Sequence, residues 1–314
     1  MAAASKTSLV KPKRKKNINN TGYLFVLPFV IVFLIFNVYP VLRTLYFSFT
    51  NYKGYGVPTP AGFSNYIRVV KDKFFWISLW NTCKIWGVNI VVQLGLAFLL
   101  TIVFSDLKYK IKGLSIFRAM YYLPNLIAAT SVAYLFKTLL DWKYGSVNQI
   151  LMSLGIIEKG AQINWLGNVS TAPYVISIIS AWMWFGNSFI VLMAGVQGIN
   201  KDYYEAAAID GAGRWKTFSK ITIPLLRPIL IYVSITSLIG GLQMFDIPFL
   251  MNGKGSAGLP AGSTQTVVMY MYKFGFEGGG VKQVGYASAI AYSLFIIILI
   301  VSVIQFKVMS KKED

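Results

Sequence analysis

The sequence predicts an all-α membrane protein with six transmembrane helices. Of its 314 residues, 55% are hydrophobic and only 13% are charged, and the mean hydropathy of +0.57 exceeds that of most water-soluble domains. Six apolar stretches are long enough to cross a hydrocarbon core of about 30 Å, which takes roughly 20 helical residues. They lie near 24–46, 80–104, 115–140, 172–198, 225–250 and 284–308.

The first apolar stretch follows a basic segment at 11–16 and therefore has the order of a secretory signal peptide. Its apolar core is too long for a signal peptide, and no small-residue cleavage site follows within 41–51. We therefore interpret it as a membrane span. The basic tail before it is expected to set topology and contact lipid headgroups, with no role in binding nucleic acid.

The distribution of basic residues predicts that both termini are cytoplasmic, because cytoplasmic flanks are enriched in Lys and Arg. With the N-terminus inside, the inner segments hold most of the 30 basic residues. The outer loops, 51–79, 141–171 and 251–283, are longer in total and mix aromatic residues with Gly, Pro and Asn. These loops are either a surface for a partner, lids over a cavity, or plain connectors.

The composition excludes several kinds of chemistry. The chain has no histidine and one cysteine, Cys83, so it lacks a His-based catalytic or metal site and an intrachain disulfide. Cys83 is expected to act as a small buried hydrophobic residue. No Gly-x-x-x-x-Gly-Lys-Ser/Thr loop occurs, so the chain has no phosphate-binding loop for ATP.

The segment 200–224, between the fourth and fifth stretches, predicts a short helix-turn-helix. Asp202 followed by Glu205 is a helix-start pattern, in which Asp202 accepts from a free backbone N–H and Glu205 reaches back. Gly211 and Gly213 then end the first helix. Such a segment either docks onto a partner or rests as an amphipathic helix on lipid headgroups, and its patterning leaves both open.

A second short helix is expected after the glycines. Trp215, Phe218 and Ile221 should share one of its faces, because they recur at helical spacing. Pro224 marks the approach to the next span.

The same segment closely resembles the cytoplasmic EAA loop of ABC importer membrane subunits. The family pattern is met by Glu205, Ala206, Ala207, Gly211, Phe218, Ile221 and Pro224. In that family the loop forms a coupling helix that sits in a cleft of the ATPase subunit. The resemblance implies that the ATPase-coupling residues are Glu205, Ala206, Ala207, Asp210, Gly211, Gly213 and Phe218.

The resemblance extends over nearly the whole chain after its N-terminal tail. The runs 22–28, 39–40 and 48–50 resemble the opening of the larger membrane subunit of carbohydrate importers, and 276–280 and 285–290 resemble the end of the maltose-type subunit. The large extra outer domain of some maltose subunits is absent.

The resemblance implies a type I ABC importer fold, with the coupling helix between spans four and five. The predicted organisation is a basic cytoplasmic tail (1–22), a first span with its outer loop (23–76), a core transmembrane domain (77–309) and a cytoplasmic tail (310–314). Implied partners in the bacterial cell membrane are a second homologous membrane subunit, two ATPase subunits, an extracellular sugar-binding protein and membrane lipid. The chain itself needs no cofactor, because ATP and Mg are held by the ATPase subunits.

A sugar site needs aromatic side chains and uncharged hydrogen-bonding groups, and the fourth and fifth spans contain both. By resemblance, the sugar-contacting positions of the maltose-type subunit fall on Ser180, Met183, Trp184, Asn187, Ser237, Gly240, Gly241 and Met244. Several of these residue types differ from that subunit, so maltose itself is not implied. The alternative is that these side chains pack helices or face lipid.

Two alternative functions depend on charge. A proton-coupled secondary carrier generally needs ionisable groups at mid-depth, and no span has one clearly at its centre. An ABC permease for glycerol phosphate or its diesters would need basic groups at the site. None is evident at that depth.

Overall fold

The computed structural model describes residues 21–104, 113–252, 255–277 and 281–311. Across these ranges the regular structure is helical, and the β-structure consists of one isolated bridge between Thr50 and Pro60. The all-α prediction is confirmed. The expected basic tail up to residue 20, the inner basic residues Lys108, Lys110 and Lys112, the glycines at 278–280 and the last residues 312–314 lie outside the described ranges.

The helices are joined by connections that range from the single residue Asp72 to the long segment 154–171. In chain order they are α1 (Thr21–Phe33), α2 (Tyr39–Ser48), α3 (Ser64–Lys71), α4 (Lys73–Phe104), α5 (Leu114–Leu126), α6 (Ala129–Leu139), α7 (Ser146–Ser153), α8 (Ala172–Gln197), α9 (Asp202–Ile209), α10 (Arg214–Thr217), α11 (Ile223–Leu225), α12 (Arg227–Leu242), α13 (Asp246–Asn252), α14 (Val267–Tyr272) and α15 (Val284–Ser310). In the part of the chain that the structure describes, three π-helical turns, Leu34–Val38, Phe218–Thr222 and Lys273–Glu277, interrupt or extend these helices.

Within the described residues, five helical stretches are long and apolar enough to cross a membrane. They are Gly22–Ser48, Lys73–Phe104, Ala172–Gln197, Arg227–Met251 and Val284–Ser310. They correspond to the predicted first, second, fourth, fifth and sixth spans.

The prediction of one continuous helix over 115–140 was wrong. The structure has two helices there, α5 and α6, separated at Ile127 and Ala128. Pro124 lies inside the last turn of α5 and has no N–H to donate to the carbonyl four residues back. The backbone of Ile127 is extended, so the chain leaves the helix directly after this weakened turn. The count of six spans stays a prediction.

The chain divides into two compact units, 1–46 and 47–314. The described part of the first unit is an apolar helix whose side chains are largely exposed. In the second unit, the loop after the first span packs with the core, because the Gly285 N–H of α15 donates to the carbonyl of Tyr52 at 2.9 Å. The structure thus joins this loop to the core, and the predicted boundary at 76/77 stays a prediction.

The core of the second unit is built on α4 and α8, which run in the same direction. Ile85 of α4 packs in one cluster with Ile176 of α8, and Ala97 packs with Phe189 further along both helices. Since α3 precedes α4 and α9 follows α8, α3 and α9 lie at opposite ends of the bundle. Cys83 is partly buried and packs against a neighbouring apolar cluster.

Glycine lets α5 approach α8 closely. A Cβ added at Gly186 would lie 1.8 Å from the carbonyl oxygen of Tyr121. Close backbone approach through small residues is the usual way in which membrane helices pack. This contact holds the middle of α8 against α5.

A carboxylate joins three segments at the α3 end of the bundle. Asp72 Oδ2 accepts from the hydroxyls of Tyr270 and Tyr286, and Asp72 Oδ1 accepts from the backbone N–H of Phe74 at 2.9 Å. Burial alone would raise the pKa of Asp72, but hydrogen bonds from the two tyrosines and from the Phe74 and Phe75 amides outweigh it and lower this pKa. The ionised carboxylate therefore links α4 to α14 and α15.

We expect Asp72→Asn to lower the free energy of unfolding by about 2 kcal/mol at pH 7, because it removes a charged acceptor of two phenol donors. The pKa is lowered in the folded state, so the stabilisation is complete above the ordinary carboxyl value of 3.8 and is lost as pH falls through the folded value. Melting temperatures of the detergent-purified protein at pH 7 and pH 3 measure this.

The matched control is Glu158→Gln, which neutralises an exposed carboxylate and should leave the melting temperature unchanged at both pH values. A deficit of Asp72→Asn that is equally large at pH 3, or absent at pH 7, would contradict the role given to the carboxylate.

Candidate functional site

A cavity of about 390 Å³ lies between α4, α8, α12 and residues 243–247. Its volume falls within the range of ligand-binding pockets. The structure brings to its wall all of the residues that the sequence predicts at the substrate site: Ser180, Met183, Trp184, Asn187, Ser237, Gly240, Gly241 and Met244. That they bind a substrate stays a prediction.

One face of α8 forms the first wall of the cavity. Its lining residues are Ser180, Met183, Trp184, Asn187, Ser188 and Val191. They recur every three or four positions, which places them on one side of the helix. Most of α8 is buried, yet the Trp184 side chain is 49% exposed, because it borders the cavity. An aromatic ring at this place can stack against an apolar ring face.

The glycine pair of α12 forms part of the second wall, and its two members have different surroundings. A Cβ added at Gly241 would lie 1.9 Å from Cδ1 of Trp86, whereas a Cβ at Gly240 would have no other atom within 4 Å. The sequence predicted that the pair admits a ligand or a helix. Gly241 admits the indole of α4, and Gly240 leaves open space at the cavity.

The third wall belongs to α4, which carries a stripe of buried residues that are mostly polar. The stripe comprises Ser78, Thr82, Ile85, Asn89, Gln93, Ala97 and Thr101. Asn89 and Gln93 line the cavity, and sequence reasoning missed both because it treated this stretch only as an apolar span. The available signal was the recurrence of polar residues every three or four positions within that span.

Gln93 connects the three walls. Its Nε2 donates to Ser188 Oγ of α8 at 2.7 Å, and its Oε1 accepts from Ser237 Oγ of α12 at 3.4 Å. One helical turn earlier, Asn89 Nδ2 donates to the carbonyl of Ser177 at 3.4 Å. Polar side chains from α4, α8 and α12 are therefore hydrogen-bonded to one another beside the cavity.

The lining of the cavity is almost uncharged. Among the described residues, Asp246 is its one charged member, and its side chain is exposed at the start of α13. The remaining polar groups are amides and hydroxyls, and Tyr232 adds a phenol. A phosphate would meet no basic side chain on these described walls, which is the arrangement that the sequence led us to expect.

The second region of interest is α9 with the turn that follows it. The prediction that Asp202 caps this helix was wrong. The side chain of Asn200 takes that role, since its Oδ1 accepts from the Asp202 N–H at 3.1 Å and its Nδ2 donates to Asp202 Oδ2 at 2.9 Å. Asn200 lies two residues before the first helical residue, where its short amide reaches a free N–H.

The turn after α9 depends on Gly211. Its φ of +69° lies in the left-handed region, which glycine adopts without a steric penalty. The Gly211 N–H donates to the carbonyl of Ala208 at 3.2 Å and so closes the helix end. On the other side of the turn, the hydroxyl of Tyr204 contacts Thr222 Oγ1 at 3.2 Å, which ties α9 to the segment that leads into α12.

The predicted coupling residues divide into anchors and exposed groups. Ala207 and Phe218 are buried, while Glu205, Ala206, Asp210, Gly211 and Gly213 are exposed. The rings of Trp215 and Phe218 lie 6.4 Å apart, so these two residues share a face as expected, with Trp215 70% exposed at its outer side and Phe218 only 4% exposed. The π-helical turn over Phe218–Thr222 changes the number of residues per turn only from Phe218 onward, so the expectation that Ile221 shares this face stays a prediction.

The family follows from comparison with known proteins. Residues 94–311 match the family of binding-protein-dependent transport system inner membrane components, a range that includes α8, α9 and α12.

The chain belongs to this family.

Several relatives match over almost the full length. The lactose transport system permease protein LacF of Rhizobium radiobacter is 34% identical, and the match covers 98% of this chain and 98% of the relative. The arabinooligosaccharides permease protein AraP of Bacillus subtilis is 32% identical, with 91% of this chain and 87% of the relative covered. The trehalose/maltose permease protein MalF of Thermococcus litoralis is also 32% identical, with coverages of 93% and 95%.

A solved structure has the same fold. A chain of a bacterial ABC transporter that imports the acidic polysaccharide alginate matches with a TM-score of 0.78 at 23% identity, covering 94% of this chain and 96% of that chain. The inner membrane component described here is thus a multi-pass membrane protein with an ABC importer permease fold.

Proposed function

We propose that this chain is the membrane-spanning permease subunit of an ATP-driven bacterial importer and forms half of the translocation path for a sugar or oligosaccharide. The observation that carries the proposal is the cavity wall, where amides, hydroxyls and Trp184 surround about 390 Å³ of space. Such a lining suits a ligand with hydroxyl groups and an apolar ring face. Relatives named for lactose, arabinooligosaccharides and trehalose/maltose support it.

The energy comes from other chains in this proposal. Two separate ATPase subunits bind and hydrolyse ATP with Mg, a second homologous membrane subunit completes the path, and an extracellular sugar-binding protein delivers the cargo. Both termini and α9 face the cytoplasm. The exposed residues of α9 and the turn and short helix after it then form the surface that enters a cleft of an ATPase subunit, with Ile209 and Trp215 among its exposed apolar groups.

The position of α9 explains how a movement at this surface would reach the cavity. The helix α8 ends at Gln197 and α9 begins at Asp202, while α12 begins at Arg227 after the π-helical turn. The two helices that flank the coupling segment in sequence, α8 and α12, also supply most of the residues that line the cavity. Displacement of α9 on closure of the ATPase pair would move both walls and switch access from one side of the membrane to the other.

We expect Trp184→Ala to reduce the rate of sugar uptake about tenfold while basal ATPase activity of the assembled complex is retained. The substitution removes the exposed aromatic surface of the cavity, and stacking of this kind contributes about 1 kcal/mol or more. Uptake into proteoliposomes that contain the chain with its partner subunits measures the effect, with lactose, trehalose and maltose as probes.

The control is Trp80→Ala, because Trp80 is an exposed tryptophan on α4 that does not line the cavity. Equal losses in the two variants would remove Trp184 from the site. Uptake by the purified chain alone, without ATP or partner subunits, would contradict the proposed function as a whole.

A further inference from the structure

We infer that Gln93 is a positioning residue that sets which substrate hydroxyls the cavity accepts, an inference that rests on the proposed function. The predicted substrate residues all belong to α8, α12 and the segment after it, so α4 had no assigned part in recognition. The structure places Gln93 between Ser188 and Ser237, and all three line the cavity.

Burial makes the Gln93 amide an effective organiser of this wall. Its side chain is 7% exposed and that of Ser188 is 2% exposed, so the hydrogen bond between them is shielded from water. A buried polar group that loses its partner costs more than an exposed one, and this cost restricts Ser188 to the rotamer that meets Nε2. The longer contact from Ser237 Oγ to Oε1 leaves that hydroxyl freer to exchange partners.

The hydrogen-bonding capacity of the amide is not exhausted by these contacts. A glutamine side chain has two N–H donors and two acceptor lone pairs, and the two serines use one of each. A sugar hydroxyl both donates and accepts, so it can complete the remaining pair or take the place of Ser237. A substrate that lacks the hydroxyl at this position would leave a buried donor or acceptor of the Gln93 amide unpaired. The cost of that unpaired group would make the cavity favour the sugar over its deoxy analogue.

The alternative role for Gln93 is helix packing, since polar side chains often join membrane helices. The two roles differ in what a substitution changes. A packing residue affects the transport of every sugar alike, together with stability. A positioning residue affects the ratio between a sugar and the analogue that lacks one hydroxyl.

The experiment uses the full importer in proteoliposomes with ATP inside and the binding protein outside. Wild-type uptake is first measured for lactose, trehalose and maltose, and the best of these is compared with its single-deoxy analogues. Because the same binding protein serves every variant, its own preference cancels in the ratio between variant and wild type.

In Gln93→Met, which keeps the length of the side chain and removes its amide, we expect the ratio of uptake for sugar over analogue to fall about fivefold at one hydroxyl position. The ratios at the other positions should stay within about twofold of wild type. Ser237→Ala should shift the ratio at that same position, and the double variant should add little, because both substitutions act on one hydrogen-bonded unit.

The matched control is Gln305→Met, the same exchange at a partly buried glutamine of α15 that does not line the cavity. It should leave every ratio unchanged. If Gln93→Met fails to assemble, Ser188→Ala, which removes the shielded partner of the Gln93 amide, is measured by the same ratio and should shift it at one hydroxyl position. Ratios equal to wild type at every position in the variant that assembles would overturn the inference, whereas a wild-type importer that carries no sugar would overturn the proposed function instead.

Discussion

Gly211→Pro is expected to abolish sugar uptake by the reconstituted importer while membrane insertion and assembly with partner subunits are retained. Proline holds φ near −65°, whereas Gly211 has a φ of +69°, so the turn after α9 cannot form. The substitution also removes the N–H that donates to Ala208 at 3.2 Å. The membrane spans are not touched, because the residue lies on the exposed segment between α8 and α12. Uptake and co-purification with the ATPase subunits measure the two outcomes.

Two alanine variants separate backbone conformation from steric bulk. A Cβ at Gly211 or at Gly213 would meet no other atom within 4 Å, but only Gly211 has a positive φ. We therefore expect Gly211→Ala to reduce uptake several-fold, in line with a strain of about 1 kcal/mol, and Gly213→Ala to reduce it less, because Gly213 lacks this strain. A helix that merely rested on lipid headgroups would tolerate Gly211→Pro, so normal uptake by that variant would argue for that alternative.

Gly241→Ala is expected to eliminate transport and to lower the melting temperature of the complex. The added Cβ would lie 1.9 Å from Cδ1 of Trp86, so either the indole or α12 must move. Overpacking of this kind costs about 1 to 3 kcal/mol. The displacement would act on the wall that carries Ser237 and Gly240. Melting temperature and uptake are measured on the same preparation.

The neighbouring Gly240 is the matched control. Gly240→Ala should keep the melting temperature of wild type, because its Cβ has free space, and any effect should be confined to uptake. Replacing Trp86 by a smaller residue in the Gly241→Ala background should recover part of the stability, since the two positions are in contact. Equal melting temperatures for the two single alanine variants would show that the contact with Trp86 does not limit the packing.

The spans were predictable because apolar length is a local property of the sequence. The stretches near 172–198 and 284–308 correspond to α8 and α15. The region 115–140 was harder, since its mean hydropathy does not register that Pro124 weakens the turn before Ile127. Similarly, Asn200 and Asp202 are both good capping residues, and the choice between them depends on which side chain reaches a free N–H.

The faces of the helices were also predictable, but the partners of each face were not. Residues three or four positions apart share a side of a helix, which is why Ser180, Trp184 and Asn187 reach one wall of the cavity as expected. The polar stripe of α4 follows the same periodicity. Its place at the cavity could be assigned only once the structure showed that α8 and α12 pack against it.

From local periodicity and the long EAA-type segment, the sequence by itself determined an all-α membrane protein, the helix faces and the family. The tertiary structure alone decided that Gln93 meets Ser188 and Ser237, which are 95 and 144 positions away along the chain, and that Gly241 rather than Gly240 receives Trp86. The physical reason is that hydropathy and helical register are set by neighbouring residues. A contact between helices depends on how their backbones pack, which no local pattern contains.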